Sequence, residues 1–286
     1  MREDHKPATA SSPLRVLCAT FLAFVALLSG CSSIPSVEQR TLLARSMATA
    51  VSFTEREIAT PLFTLRAFSR APSDGASAIR IFIEGDGLAY ASRATPSLNP
   101  TPTDPVALRL ASADRADAVV YLARPCQYQP SVGLCRNHYW WTQGRLSAPV
   151  IASLSSAIDA VKNDLGAEQI ELVGYSGGGA LAVLLAAQRT DVRLLVTVAG
   201  LIDTARWLSH HKLSPLDIEK NPAALIDQIA DIPQWHFVGA DDQVIPPAIA
   251  LRWTAAASNY PTIHVVEVPD TTHHCCWTDV WRSWGL

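Results

Sequence analysis

Gly174-Tyr175-Ser176-Gly177-Gly178 sets a serine between glycines, where the apolar run "QIELV" gives way to a second one, "GALAVLLAAQ". The pattern G-x-S-x-G at such a junction suits nucleophilic attack. A serine on a sharp strand-to-helix turn is lifted above its sheet in a strained backbone conformation. The two backbones pass so close there that side chains two residues either side would clash, hence glycine at 174 and 178. The helix that follows aims its amino end where negative charge would develop. Two plainer readings compete. One is a glycine-rich helix start that only packs tightly. The other is a phosphate loop, but no Gly-Lys-Ser/Thr follows. A strand ending at Val173 and a helix starting near Gly178 favour the nucleophile.

An activated serine needs a histidine base and a carboxylate to orient it, and the chain order for this turn is serine, acid, histidine. "HFVGADDQVIPP" puts Asp241 and Asp242 just past one apolar run, and "VEVPDTTHHCCW" puts His273 and His274 just past the next. Asp241 has the competing use of most loop aspartates, a helix cap or a loop hydrogen bond. Asp270 suits turn amides, and Asp203 is a less favoured acid position. His236 and His264 sit inside apolar runs and read as structural. His210 and His211 lie over the sheet end, where they could touch substrate, though a solvated position is the commoner use. "HHCC" invites a metal reading, but four consecutive residues cannot all face one ion and the usual ligand spacings are absent. No metal or other cofactor is expected.

The elements needed to hold these turns can be followed along the chain. Val51–Phe53 and Leu62–Phe68 read as a first strand pair. "IRIFIEG", "AVVYLARP", "QIELVG", "VRLLVTVAG", "QWHFVG" and "IHVVEV" read as buried strands. Helical periods lie between them, notably Ile151, Leu154, Ile158 and Val161 on one face. Such alternation predicts an α/β fold, a mostly parallel sheet with helices on both faces. Ligands then sit at the carboxyl ends of the strands, and every candidate motif falls there. Leu201–Pro233 is too short for a large cap and predicts a small lid. Trp140, Trp141, Trp207 and Tyr128 are candidates for an apolar pocket, though core packing is the commoner use.

Ser176 in "GYSGGG", the turn "GADDQVIP" and the turn "PDTTHH" together resemble the α/β-hydrolase superfamily over about residues 46–286. The resemblance selects Asp242 through G-x-x-D-x-V-x-P and His273 as the fifth residue from Pro269. It implies an oxyanion hole built from the Gly177 amide and a second amide in Glu84-Gly85-Asp86-Gly87, that of Asp86 or alternatively Gly87. His-Gly is common at this loop, so Glu84 departs from the pattern. The wider set "IEGDG", "LARPCQY", "GYSGGGA" and "TVAG" is similar to a group of proteobacterial α/β-hydrolase lipoproteins, a likeness that carries no substrate. It implies a serine hydrolase acting on an ester, thioester or related acyl bond of a small molecule or lipid. The alternatives are an acyltransferase and a non-catalytic envelope lipoprotein that uses the fold as a binding module.

The chain has 286 residues, enough for one large domain, and a net charge of −3 leaves no footprint for nucleic acid. No apolar run reaches the ~18 residues of a spanning helix. Residues 1–30 read as a signal peptide: Arg2, Lys6 and Arg15 precede the apolar "VLCATFLAFVALL". "LSGCSS" resembles the lipobox of bacterial lipoproteins. It implies lipid on Cys31 and, with Ser32 following, an outer-membrane lipoprotein facing the periplasm. Residues 31–45 are expected to be a tether and 46–286 the domain, a monomer. Cys126 and Cys135 bracket a short loop suited to a disulfide in an oxidising compartment. Whether the adjacent Cys275 and Cys276 pair is left open.

Overall fold

The computed structural model describes residues 1, 3, 34–73 and 75–284. The signal segment and Cys31 lie outside the described residues. The chain divides into two units, Met1–Pro35 and Ser36–Leu286. In the first, the described residues form no regular element.

The second unit is built on one eight-stranded sheet, in the order β1-β2-β4-β3-β5-β6-β7-β8. The strands are β1 (Thr54–Ala59), β2 (Thr64–Arg70), β3 (Ala78–Ile83), β4 (Val119–Leu122), β5 (Gln169–Tyr175), β6 (Val192–Val198), β7 (Gln234–Gly239) and β8 (Ile263–Val268). β2 runs antiparallel to both β1 and β4, and all other pairs are parallel. The central strands are short apolar runs because helices cover both faces. Helices α1 (Val37–Ala50), α2 (Val106–Ala113) and α7 (Trp277–Trp284) pack on one face with Phe68, Phe82 and Tyr121. Helices α3 (Ala148–Leu165), α4 (Gly177–Ala186) and α6 (Leu251–Ala257) pack on the other with Ile79, Ile81 and Leu172. The stripe read on α3 is its buried face: Ile151, Leu154, Ile158 and Val161 all lie inside.

Register brings the candidate turns together. Ile83 lies opposite Leu122 on one side and Gly174 on the other, so β3, β4 and β5 release their chains side by side. Gly239 lies opposite Val268, which sets the acid turn beside the histidine turn. β3 lies between β4 and β5, so the strand order reverses beside it, the usual place for a ligand crevice in an open parallel sheet.

Two expectations need correction. Residues 37–45 are not a tether but the start of α1. Ser36 and Gln39 form a capping box, Ala44 and Ala48 are buried, and Arg40 donates to the carbonyls of Asn99 and Thr101. The apolar stripe of "VEQRTLLARSMATA" is too narrow to stand out, because small alanines supply the contact. The first strand is Thr54–Ala59, while Val51 and Ser52 turn the chain. Its sequence "TEREIA" hides the strand, since it faces a neighbour through charge: Arg66 on β2 pairs with Glu55 and Glu57. The segment expected as a lid holds helix α5 (Thr204–His211) and two short 3-10 turns.

Candidate active site

Ser176 sits between β5 and α4 with φ +53° and ψ −122°, a strained conformation for a residue with a side chain. A Cβ at Gly174 would meet the backbone of Gly178, and a Cβ at Gly178 would meet the carbonyl of Ile83 at the end of β3. The turn is thus closed by backbone on both sides. Its serine amide donates to the Val198 carbonyl on β6 (3.0 Å), and its carbonyl accepts from Gly179 and Leu201.

The turns after β7 and β8 reach the same point. His273 Nε2 lies 3.0 Å from Ser176 Oγ, and His273 Nδ1 lies 2.8 Å from Asp242 Oδ2. A carboxylate only accepts, so Nδ1 carries the proton and Nε2 is left to accept from the serine. Asp242 is buried, and its other oxygen accepts from the amides of Val244 and Ile245, both at 2.8 Å. Asp241 is exposed, and Asp203 caps α5 through the Arg206 amide. His274 points elsewhere: its Nδ1 lies 3.2 Å from the Tyr175 hydroxyl, and burial together with His273 holds its pKa below the ordinary value.

Two side chains not singled out in the sequence fix the histidine turn. The Tyr175 hydroxyl and the Trp277 indole both donate to the His273 carbonyl, each at 3.0 Å. Tyr175 was legible only as the variable position of G-x-S-x-G. Trp277 was legible only as the start of a closing amphipathic helix.

A cavity of about 460 Å³ opens over these groups, lined by Ser176, Gly177, Glu84, Asp86, Gly87, His273 and, from the lid, Trp207. The loop Glu84–Gly87 is fixed from several sides. The Gly85 amide donates to Glu84 Oε1 (2.8 Å), the Gly85 carbonyl accepts from Gln127 Nε2 (2.9 Å), and the Leu88 amide donates to the Pro100 carbonyl (3.1 Å). The amides of Asp86, Gly87 and Gly177 find no acceptor among the described residues. Gly177 is buried, Asp86 is half-buried and Gly87 is exposed. Glu84 lies fully buried, and burial pushes its carboxyl up to about 7 against the opposing Gly85 amide. The site can therefore supply a hydroxyl with its base attached, an oriented imidazole and free amides at a helix amino end.

Other candidates fall outside the cavity. His236 is buried in the core against Thr197 and Gln234, and burial drives its pKa down to about 3. His264 stacks on Trp235 at 4.2 Å. His211 meets the Val244 carbonyl, and His210 is exposed. Trp141 and Tyr128 are core residues, and Trp140 packs edge-on against Phe63. The sulfurs of Cys126 and Cys135 are bonded, and so are those of Cys275 and Cys276.

No family model and no curated protein sequence matches this chain. Solved structures do. Est1E from Butyrivibrio proteoclasticus superposes with a TM-score of 0.53 at 14% identity, over 80% of this chain and 96% of that one. An alpha-beta serine hydrolase homologue from Coxiella burnetii gives 0.54 at 17% identity, over 80% and 96%. The acylaminoacyl peptidase of Pyrococcus horikoshii gives 0.56 at 11% identity, over 77% of this chain and 37% of that larger one. With the strand order above, these likenesses establish that this chain has the α/β-hydrolase fold.

Proposed function

We propose that the protein is a serine hydrolase that cleaves ester, thioester or related acyl bonds through an acyl-enzyme. The observation that carries this reading is the unbroken path from Ser176 Oγ to His273 (3.0 Å) and from His273 to the buried Asp242 (2.8 Å). The hydroxyl attacks the substrate carbonyl while His273 Nε2 takes its proton. Asp242 holds the imidazole and offsets its charge as it becomes imidazolium. The carbonyl oxygen becomes an oxyanion and accepts from the free amides of Gly177 and of Asp86 or Gly87. The imidazolium returns the proton to the leaving group, and the bond to that group breaks. Water, deprotonated by the same imidazole, then releases the acid and restores the serine.

Part of this reading extends beyond the fold. A lipid on Cys31 would hold the enzyme at the outer membrane, facing the periplasm, and the substrate would be a small molecule or lipid met there. Transfer of the acyl group to an alcohol or amine uses the same intermediate. Metabolic labelling with a clickable fatty acid tests the anchor: Cys31→Ala should lose the label, and an unlabelled wild type would remove this part of the proposal.

Turnover of p-nitrophenyl acetate and butyrate tests the chemistry. Ser176→Ala should lower kcat on the order of 10⁴-fold or more while the fold persists. A fluorophosphonate should label folded wild type and not the variant. Equal turnover by the two proteins would point instead to a non-catalytic binding module.

A further inference from the structure

An acidic residue in an oxyanion loop is a physical problem, and the structure contains its solution. The Asp86 carboxylate lies against the start of α4: a Cβ on Gly177 would collide with Asp86 Oδ1 and approach Arg124 Nη1 to 2.8 Å. A carboxylate at a helix amino end ordinarily takes the free amides there. Here that would cap the Gly177 amide and set negative charge beside a developing oxyanion.

Two buried guanidiniums compete for the carboxylate. Arg124 Nη1 donates to Asp86 Oδ1, and Arg145 Nε pairs with Asp86 Oδ2 at 2.9 Å. Both arginine side chains are 5% exposed, and they are tied to one another because Arg124 Nη2 donates to the Arg145 carbonyl (2.7 Å). Arg145 is further held by the Thr142 carbonyl (2.9 Å) and lies over the Trp207 ring at 5.5 Å. Burial would push the Asp86 carboxyl up, but Arg145 and Arg124 hold it below the ordinary value. One carboxylate against two guanidiniums leaves the cluster positive, the sign an oxyanion needs.

We infer that Arg124 and Arg145 are positioning residues for the oxyanion hole: they hold the Asp86 carboxylate off the Gly177 amide and turn the Asp86 amide toward Ser176. The inference rests on the serine-hydrolase reading. It also explains why the loop carries an aspartate: the side chain is the handle by which the arginines orient the backbone.

Asp86→Ala tests this well, because it removes the handle and keeps the amide. With p-nitrophenyl butyrate, kcat should fall about 10- to 100-fold with KM within twofold. Affinity for a butyl boronic acid, which forms a tetrahedral adduct on the serine, should fall by the same factor. Asp86→Asn, which keeps one acceptor for a guanidinium, should recover part of both losses. If Asp86→Ala does not fold, Arg145→Lys carries the same measurements, with the same split between kcat and KM. A folded Asp86→Ala with kcat within twofold of wild type would overturn the inference, and so would lost turnover with unchanged boronate affinity. An active wild type with an equally active variant defeats this inference alone, whereas an inert, unlabelled wild type defeats the serine-hydrolase reading and this inference with it.

Discussion

At the scale of single residues, two pairs of neighbours separate cleanly. Asp242 is buried with both oxygens occupied, while Asp241 is exposed. Asp242→Asn should lower kcat on the order of 10⁴-fold, since the amide favours the wrong imidazole tautomer, with circular dichroism unchanged. His273→Ala should lose turnover comparably and His274→Ala much less, measured with p-nitrophenyl butyrate; the reverse ranking would reassign the base. Glu84 gives a pH signature in stability. Its carboxyl is raised from 4.5 to about 7 by burial. Between these values the folded state binds more protons than the unfolded one, so stability falls as pH rises through this window and stays lowered above it. Glu84→Gln, which cannot ionise, should therefore melt higher relative to wild type at pH 8 than at pH 5. The difference should be on the order of 1–3 kcal/mol, read from denaturant curves at both values. The serine, the acid and the histidine were legible as residues because each follows an apolar strand. The choice within Asp241/Asp242 and His273/His274 came from resemblance, not from their own types.

At the scale of elements, the site depends on strand ends that are tied to one another. The segment after β4 supplies Arg124 and Gln127 to the Glu84–Gly87 loop, and the Cys126–Cys135 bridge closes that segment over nine positions. Replacing both cysteines by serine should lower stability by about 2–3 kcal/mol through loop-closure entropy. It should also reduce kcat more than KM if the segment loosens, and unchanged melting would show that packing alone fixes it. Sequence periodicity located the central strands, because burial on both faces leaves apolar runs. It misplaced β1, where charged cross-strand pairs replace apolar alternation. It also gave no sign that Tyr175 and Trp277 meet at one carbonyl, since their partner lies about 100 residues from Tyr175 and is a backbone atom.

At the scale of the molecule, the fold class was readable and its edge was not. Alternating strands and helices announced a parallel sheet, but α1 packs through alanines that a hydrophobic pattern does not register. A chain starting at residue 36 should fold with full activity. One starting at residue 46, the boundary expected from sequence, loses the contacts of Arg40 and Ala44 and should melt several degrees lower. Equal melting temperatures would mean that the first helix turns contribute nothing. The three turns meet only because the sheet sets β3, β5, β7 and β8 in fixed register, so the decisive measurement concerns their meeting point. Wild-type protein quenched in acid during p-nitrophenyl butyrate turnover, then digested and weighed, should carry butyrate on Ser176, and Ser176→Ala should carry none. Butyrate found on another residue, or undiminished turnover by the alanine variant, would contradict the serine as nucleophile.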